Sequence, residues 1–98
     1  METPIFIGID PGISGAIAAV DHRGRIIAAH HLPVIKDGST RRLHISKVVK
    51  ILREMIGECE AFVAVEKVHS MPKQGVRSSF RFGEAFGLLQ GIAVGLSL

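Results

Sequence analysis

Two short apolar runs, each closed by a carboxylate, constrain this chain most. Ile5-Phe6-Ile7-Gly8-Ile9 ends at Asp10, and Ala61-Phe62-Val63-Ala64-Val65 ends at Glu66. Apolar runs this short read as strands, because a helix of a folded domain needs roughly ten residues or more. The second run has no polar member, which predicts a central place in a sheet, where both faces are covered. A charged side chain amid such surroundings is costly unless it is paired or bound to a cation. If the two strands are neighbours, both carboxylates reach the same edge of the sheet. The ordinary alternative for either acid alone is a turn cap or a lysine partner.

The stretch between these runs supplies the other elements. Ser14–Asp21 and Arg25–Leu32 are further apolar runs, separated by the break His22-Arg23-Gly24 and ended by Pro33, so the first third predicts a three-stranded antiparallel meander. A loop is expected over Val34–Thr40. Ile45, Val48, Val49, Leu52, Met55 and Ile56 then recur at spacings of three and four, which predicts an amphipathic helix stopped by Gly57 and capped by Thr40 or His44. After the Ala61–Val65 strand, a basic loop from Lys67 to Arg77 leads into a last helix starting near Ser78. The order is β-β-β-α-β-α. A strand added after a crossover helix to three antiparallel strands makes an α/β fold, a mixed sheet flanked by helices.

Composition limits the function classes. The 98 residues are 47% hydrophobic and 21% charged, a balance that supports one folded domain and excludes a disordered chain. The single cysteine, Cys59, excludes a disulfide scaffold and a cysteine zinc cluster, and points to a reducing, cytoplasmic setting. Met1–Ile9 has neither the basic start nor the apolar length of a signal peptide. Ala85–Leu98 is apolar but short of the roughly 20 residues a membrane span needs, so no membrane partner is expected. Aromatic residues are five Phe, with no Trp or Tyr. That argues against a surface built to stack single-stranded bases, although Phe80, Phe82 and Phe86 keep some of that capacity.

Charge is distributed unevenly. His22–Lys50 holds seven Lys and Arg against one acid, Asp37, and Lys67–Gly83 holds four against none. Two such stretches suit a polyanion such as a phosphate backbone, while a plain solvated surface is the competing reading. Other features are weaker. The turn Asp10-Pro11-Gly12-Ile13-Ser14-Gly15 has glycines that admit a phosphate and a serine that can donate to it. His30 and His31 are neighbours on a strand, point to opposite faces and so make a poor metal pair. His69 is placed to meet a phosphate or assist a proton transfer, or is simply a surface histidine. Gly83, Gly87, Gly91 and Gly95 repeat every four residues along the last helix at a cost of roughly 1 kcal/mol each, so that face is expected to pack closely on the sheet or on a partner helix.

Ile7-Gly8-Ile9-Asp10-Pro11-Gly12 followed by the strand Ala16–Asp21 resembles the first hairpin of RuvC-type Holliday-junction resolvases, members of the ribonuclease H-like superfamily. Val63–Gly87 (VAVEKVHSMPKQGVRSSFRFGEAFG) is similar to the second-acid strand, loop and glycine-bearing helix of phage and bacterial RuvC-like proteins. The resemblance covers most of the chain and is weakest over Val34–His44. It implies a ribonuclease H-like mixed sheet and a metal-dependent endonuclease that acts on branched DNA as a homodimer. Asp10 and Glu66 would be the first two catalytic, metal-binding carboxylates, holding two Mg²⁺ or Mn²⁺ ions in a complete site. Lys67, His69, Lys73, Arg77, Phe80 and Arg81 would contact DNA.

The chain departs from that family in one respect. Its members carry two more acids on a C-terminal helix, and after Glu66 only Glu84 remains here. The expectation is a domain without its last strand and acid-bearing helix, one that binds metal weakly and cleaves slowly or not at all alone. A DNA-binding or dimerising module of the same fold is the alternative reading. Actin-like ATPases and sugar kinases pair an Asp with a similar turn, but they need two such domains and do not account for the Glu66 loop.

Overall fold

The computed structural model describes residues 3–12, 15–66 and 76–96, with side chains for all of these except 76–82. Its elements run β1 (Ile5–Asp10), β2 (Ala16–Val20), β3 (Ile26–His31), β4 (Val34–Asp37), β5 (Thr40–Leu43), α1 (Ile45–Ile56), β6 (Ala61–Val65) and α2 (Val76–Gly95). The meander forms as its breaks dictate. Asp21 closes the β2–β3 turn, its Oδ1 accepting from the backbone N–H of Arg23 and of Arg25, each at 2.9 Å. The last run, β6, joins the far side of β1, giving the order β3-β2-β1-β6 with β1 and β6 parallel and the other pairs antiparallel. The chain is therefore a small α/β fold with a mixed sheet.

Burial follows the strand period of two. In β1, Ile5, Ile7 and Ile9 are buried, while Phe6, Gly8 and Asp10 are exposed. The buried set meets Ile17 and Ala19 of β2, Leu32, Val48 and Leu52 of α1, and Leu89 of α2 in one cluster. Both helices thus cover the same face of the sheet. This corrects one expectation: among the described residues β6 is an edge strand rather than a central one. Its uninterrupted apolar sequence reflects a covered face (Ala61, Val63, Val65) and an open face on which Phe62 is 51% exposed and stacks on Phe6 at 5.6 Å.

Helix α1 spans the expected residues. His44 caps it, its side chain accepting from the Lys47 N–H at 3.3 Å, and the Gly57 N–H bonds the Arg53 carbonyl at the other end. Val34–Thr40, expected to be a loop, instead belongs to a separate two-stranded sheet, β4 with β5. Gly38-Ser39 makes the two-residue connection between Asp37 and Thr40, and Gly38 takes φ +63°, the left-handed conformation such hairpin turns need. Gly-Ser between two short runs was the available signal.

The glycine stripe of α2 departs from the first of its two expected contacts, the sheet. The helix rests on the sheet through Leu89, with Ile92 and Leu96 packed against the same core. A Cβ added at Gly83, Gly87, Gly91 or Gly95 would meet nothing within 4 Å among the described residues. The sheet is not what these glycines approach. No helix among the described residues is long and apolar enough to cross a membrane.

Candidate functional site: a carboxylate pair at the open edge of the sheet

The parallel β1–β6 pairing runs in register from Ile5↔Ala61 to Ile9↔Val65, and the Glu66 N–H extends it by bonding the Ile9 carbonyl at 2.9 Å. Asp10 and Glu66 therefore follow equivalent, core-facing residues on adjacent strands. Alternation turns both carboxylates to the open face, their backbones about 5 Å apart at ordinary strand spacing. Two chain segments separated by more than fifty residues are brought together by the crossover through α1. Both acids are exposed and neither forms an ion pair among the described residues.

Asp10 is held locally. Its Oδ1 accepts the Gly12 N–H at 3.0 Å, which leaves Oδ2 uncommitted within the described hydrogen bonds. The turn beyond it closes with the Gly15 N–H on the Gly12 carbonyl at 2.8 Å. A Cβ on Gly15 would collide with the backbone oxygens of Asp10 and Gly12. Gly15 is thus used by the turn's own close packing, which accounts for it without a phosphate. Ser14, the candidate donor, lies outside the described residues.

A shallow depression of about 460 Å³ opens over the pair, lined by Asp10 and Glu66 with Gly8, Ile9, Ala16, Ala18, Ala64 and Val65. The strand register explains its floor. Ala64, Gly8, Ala18 and Ala29 form one row across all four strands, so small side chains lie beside the acids. Hard divalent cations take oxygen ligands and often use only one or two protein carboxylates, with water and a phosphate completing the shell. Two exposed carboxylates over an open, small-residue floor have the right donor chemistry for such an ion. No cluster of three or more His, Cys, Asp or Glu able to hold a metal exists among the described residues.

The remaining candidates divide in two. Lys67, His69 and Lys73 lie outside the described residues. Arg77, Phe80 and Arg81 fall on α2, which starts at Val76, two residues earlier than expected, so Arg77 belongs to the helix rather than to the loop before it. Arg77 and Arg81 are one turn apart on it. Two features of this edge carry no motif. His31 ends β3 opposite Ala16, which is itself opposite Asp10, so His31 stands on the same row two strands away. The β4–β5 hairpin leaves the sheet just beyond it. Cys59 is half-buried under the core, in keeping with a structural role.

The fold and the pair define a small α/β, mixed-sheet protein with two acids at adjacent strand ends. No family model matches the chain, and no curated protein matches it in a sequence search.

Proposed function

We propose that this chain is a ribonuclease H-like, RuvC-type nuclease domain that hydrolyses phosphodiester bonds in branched DNA with Mg²⁺ or Mn²⁺. The observation that carries the proposal is the juxtaposition of Asp10 and Glu66, at the ends of adjacent parallel strands, on an open and small-residue face. That placement is what a two-carboxylate metal site requires, and it joins the two segments whose sequences resemble the resolvase family. Asp10 and Glu66 would hold the cation. When bound, the ion supplies an activated water and charge stabilisation at the scissile phosphate. The chain's own contribution is to fix Asp10 through the Gly12 N–H and to leave the floor open for a phosphate. Lys67, His69, Lys73, Arg77, Phe80 and Arg81 are the proposed DNA contacts, the substrate a four-way junction, and the working form a homodimer in the cytoplasm.

A non-catalytic DNA-binding or dimerising module is the second reading, favoured by the absence of a third acid beside the pair among the described residues. The test is nicking of a synthetic four-way junction with Mg²⁺, with Mn²⁺ and with chelator. The nuclease reading expects slow, metal-dependent nicking that Asp10→Asn and Glu66→Gln each abolish without loss of fold. Tight junction binding with no nicking under any metal supports the module. A chain that neither binds nor cleaves junction DNA refutes both the nuclease and the DNA-binding readings.

A further inference from the structure

The β4–β5 hairpin rises from the same edge of the sheet as the carboxylate pair. β3 runs parallel to β1, so its last residue, His31, lies at the same sheet edge as Asp10, and β4 begins three residues later, at Val34. The junction is firmly tied. The Leu32 N–H bonds the Gly15 carbonyl at 2.9 Å, linking the hairpin's root to the turn that follows Asp10. The His44 N–H bonds the Pro33 carbonyl at 2.9 Å and closes the hairpin's base. Along the edge the order is then Glu66, Asp10, Ala16, His31 and the hairpin.

The hairpin's charges are arranged against its own stability. Lys36 stands directly opposite Arg41 in the cross-strand register, and both are exposed. Like charges directly opposite one another on a two-stranded ribbon repel. Asp37, the hairpin's one acid, is engaged by Arg42 at 3.8 Å, and neither Lys36 nor Arg41 forms an ion pair among the described residues. An external anion between them removes the repulsion. Residues 34–43 contain no aromatic side chain, so they offer no platform for stacked bases, whereas Lys and Arg on a β-ribbon suit the phosphates of a duplex.

We infer that Lys36 and Arg41 of the β4–β5 hairpin bind the phosphate backbone of a duplex DNA arm, on the opposite flank of the carboxylate pair from β6. The inference rests on the nuclease or DNA-module reading above. It gives the substrate a direction: the duplex crosses the sheet edge from Glu66 past His31 to the hairpin.

The test compares two charge-neutralised doubles that lose the same net charge. Lys36→Gln with Arg41→Gln alters the hairpin. Arg23→Gln with Arg25→Gln alters the β2–β3 turn, at the opposite end of the sheet. Binding of a labelled DNA duplex and a four-way junction is followed by anisotropy in chelator, so that cleavage does not intrude, across about 50–200 mM salt. Losing two phosphate contacts should flatten the slope of log K against log salt by about 1.8, and weaken binding about 10- to 100-fold at 0.1 M salt. The β2–β3 double should leave the slope unchanged, and Lys36→Arg with Arg41→Lys should restore it. Equal loss in both doubles, or no loss in the hairpin double, overturns the inference while leaving DNA binding intact. Parent protein that binds no DNA overturns the functional reading and this inference together.

Discussion

Gly8 and Gly15 lie on either side of Asp10 in the chain, and substituting each by alanine should move stability in opposite directions. At Gly15 a Cβ would run into the carbonyl oxygens of Asp10 and Gly12, both backbone atoms that yield only if the turn itself moves. Overpacking of this kind costs about 1–3 kcal/mol. At Gly8, in the middle of β1, a Cβ meets nothing within 4 Å and φ is not positive, so Ala fits the native backbone. Its main effect is to restrict the unfolded chain, a gain of about 0.4–1 kcal/mol. For a domain of this size 1 kcal/mol shifts Tm by about 4–8 °C. Gly15→Ala should therefore lower Tm by roughly 4–24 °C and Gly8→Ala raise it by roughly 2–8 °C, read by circular dichroism melts at one protein concentration. The Gly15 change acts on the carbonyl of the residue that carries the first carboxylate. Displacing a reacting group by ~1 Å can cost ~100-fold in rate, so any nicking activity should fall far more than stability does. A Gly15→Ala protein that melts with the parent, or two variants that shift the same way, would refute the packing account of this turn.

Two further outcomes test the framework around the site. Hydrogen bonds from the Arg25 N–H, then the Arg23 N–H, together with the nearby Arg25 guanidinium, hold the Asp21 carboxyl below its usual range despite some opposing desolvation. A depressed folded-state pKa stabilises above the unfolded value and is lost as pH falls through the folded one, so Asp21→Asn should be less stable than the parent in urea at pH 7, the gap closing below about pH 4; a gap unchanged in acid contradicts this. Helix α1 has no acid in its first turn and a long 3.3 Å cap from His44, so His44→Asp should raise stability by about 0.5–1 kcal/mol, and a lower urea midpoint would count against the cap assignment.

Much of this architecture is legible in the residues, because local periodicity reports which side of an element is buried. The α1 pattern from Ile45 to Ile56 and the strand Ala61–Val65 appear as expected, since a helix face and a short apolar run are local properties. The β4–β5 hairpin is the omission. Its strands are four residues long and carry Lys36, Arg41 and Arg42, so composition reads as loop although Gly38-Ser39 marks a turn. The glycine stripe shows the opposite limit. A spacing of four establishes that one face of α2 is bare, but only packing decides which face meets the sheet, and that is the Leu89 face.

The acids themselves were readable as charges misplaced at the ends of apolar runs, a cost that belongs to each residue and its neighbours in sequence. That Asp10 and Glu66 stand side by side was left conditional by the residues themselves and implied only by the resemblance, because register between strands more than fifty residues apart is set by the crossover through α1 and by which face Ile5, Ile7 and Ile9 bury. His31 and the basic hairpin likewise reach this edge only because β3 runs parallel to β1. Local sequence pattern specified the groups able to do chemistry and every element except the β4–β5 hairpin. The tertiary structure decided which of those groups share an edge, because hydrogen-bonded pairing couples residues that no local pattern connects.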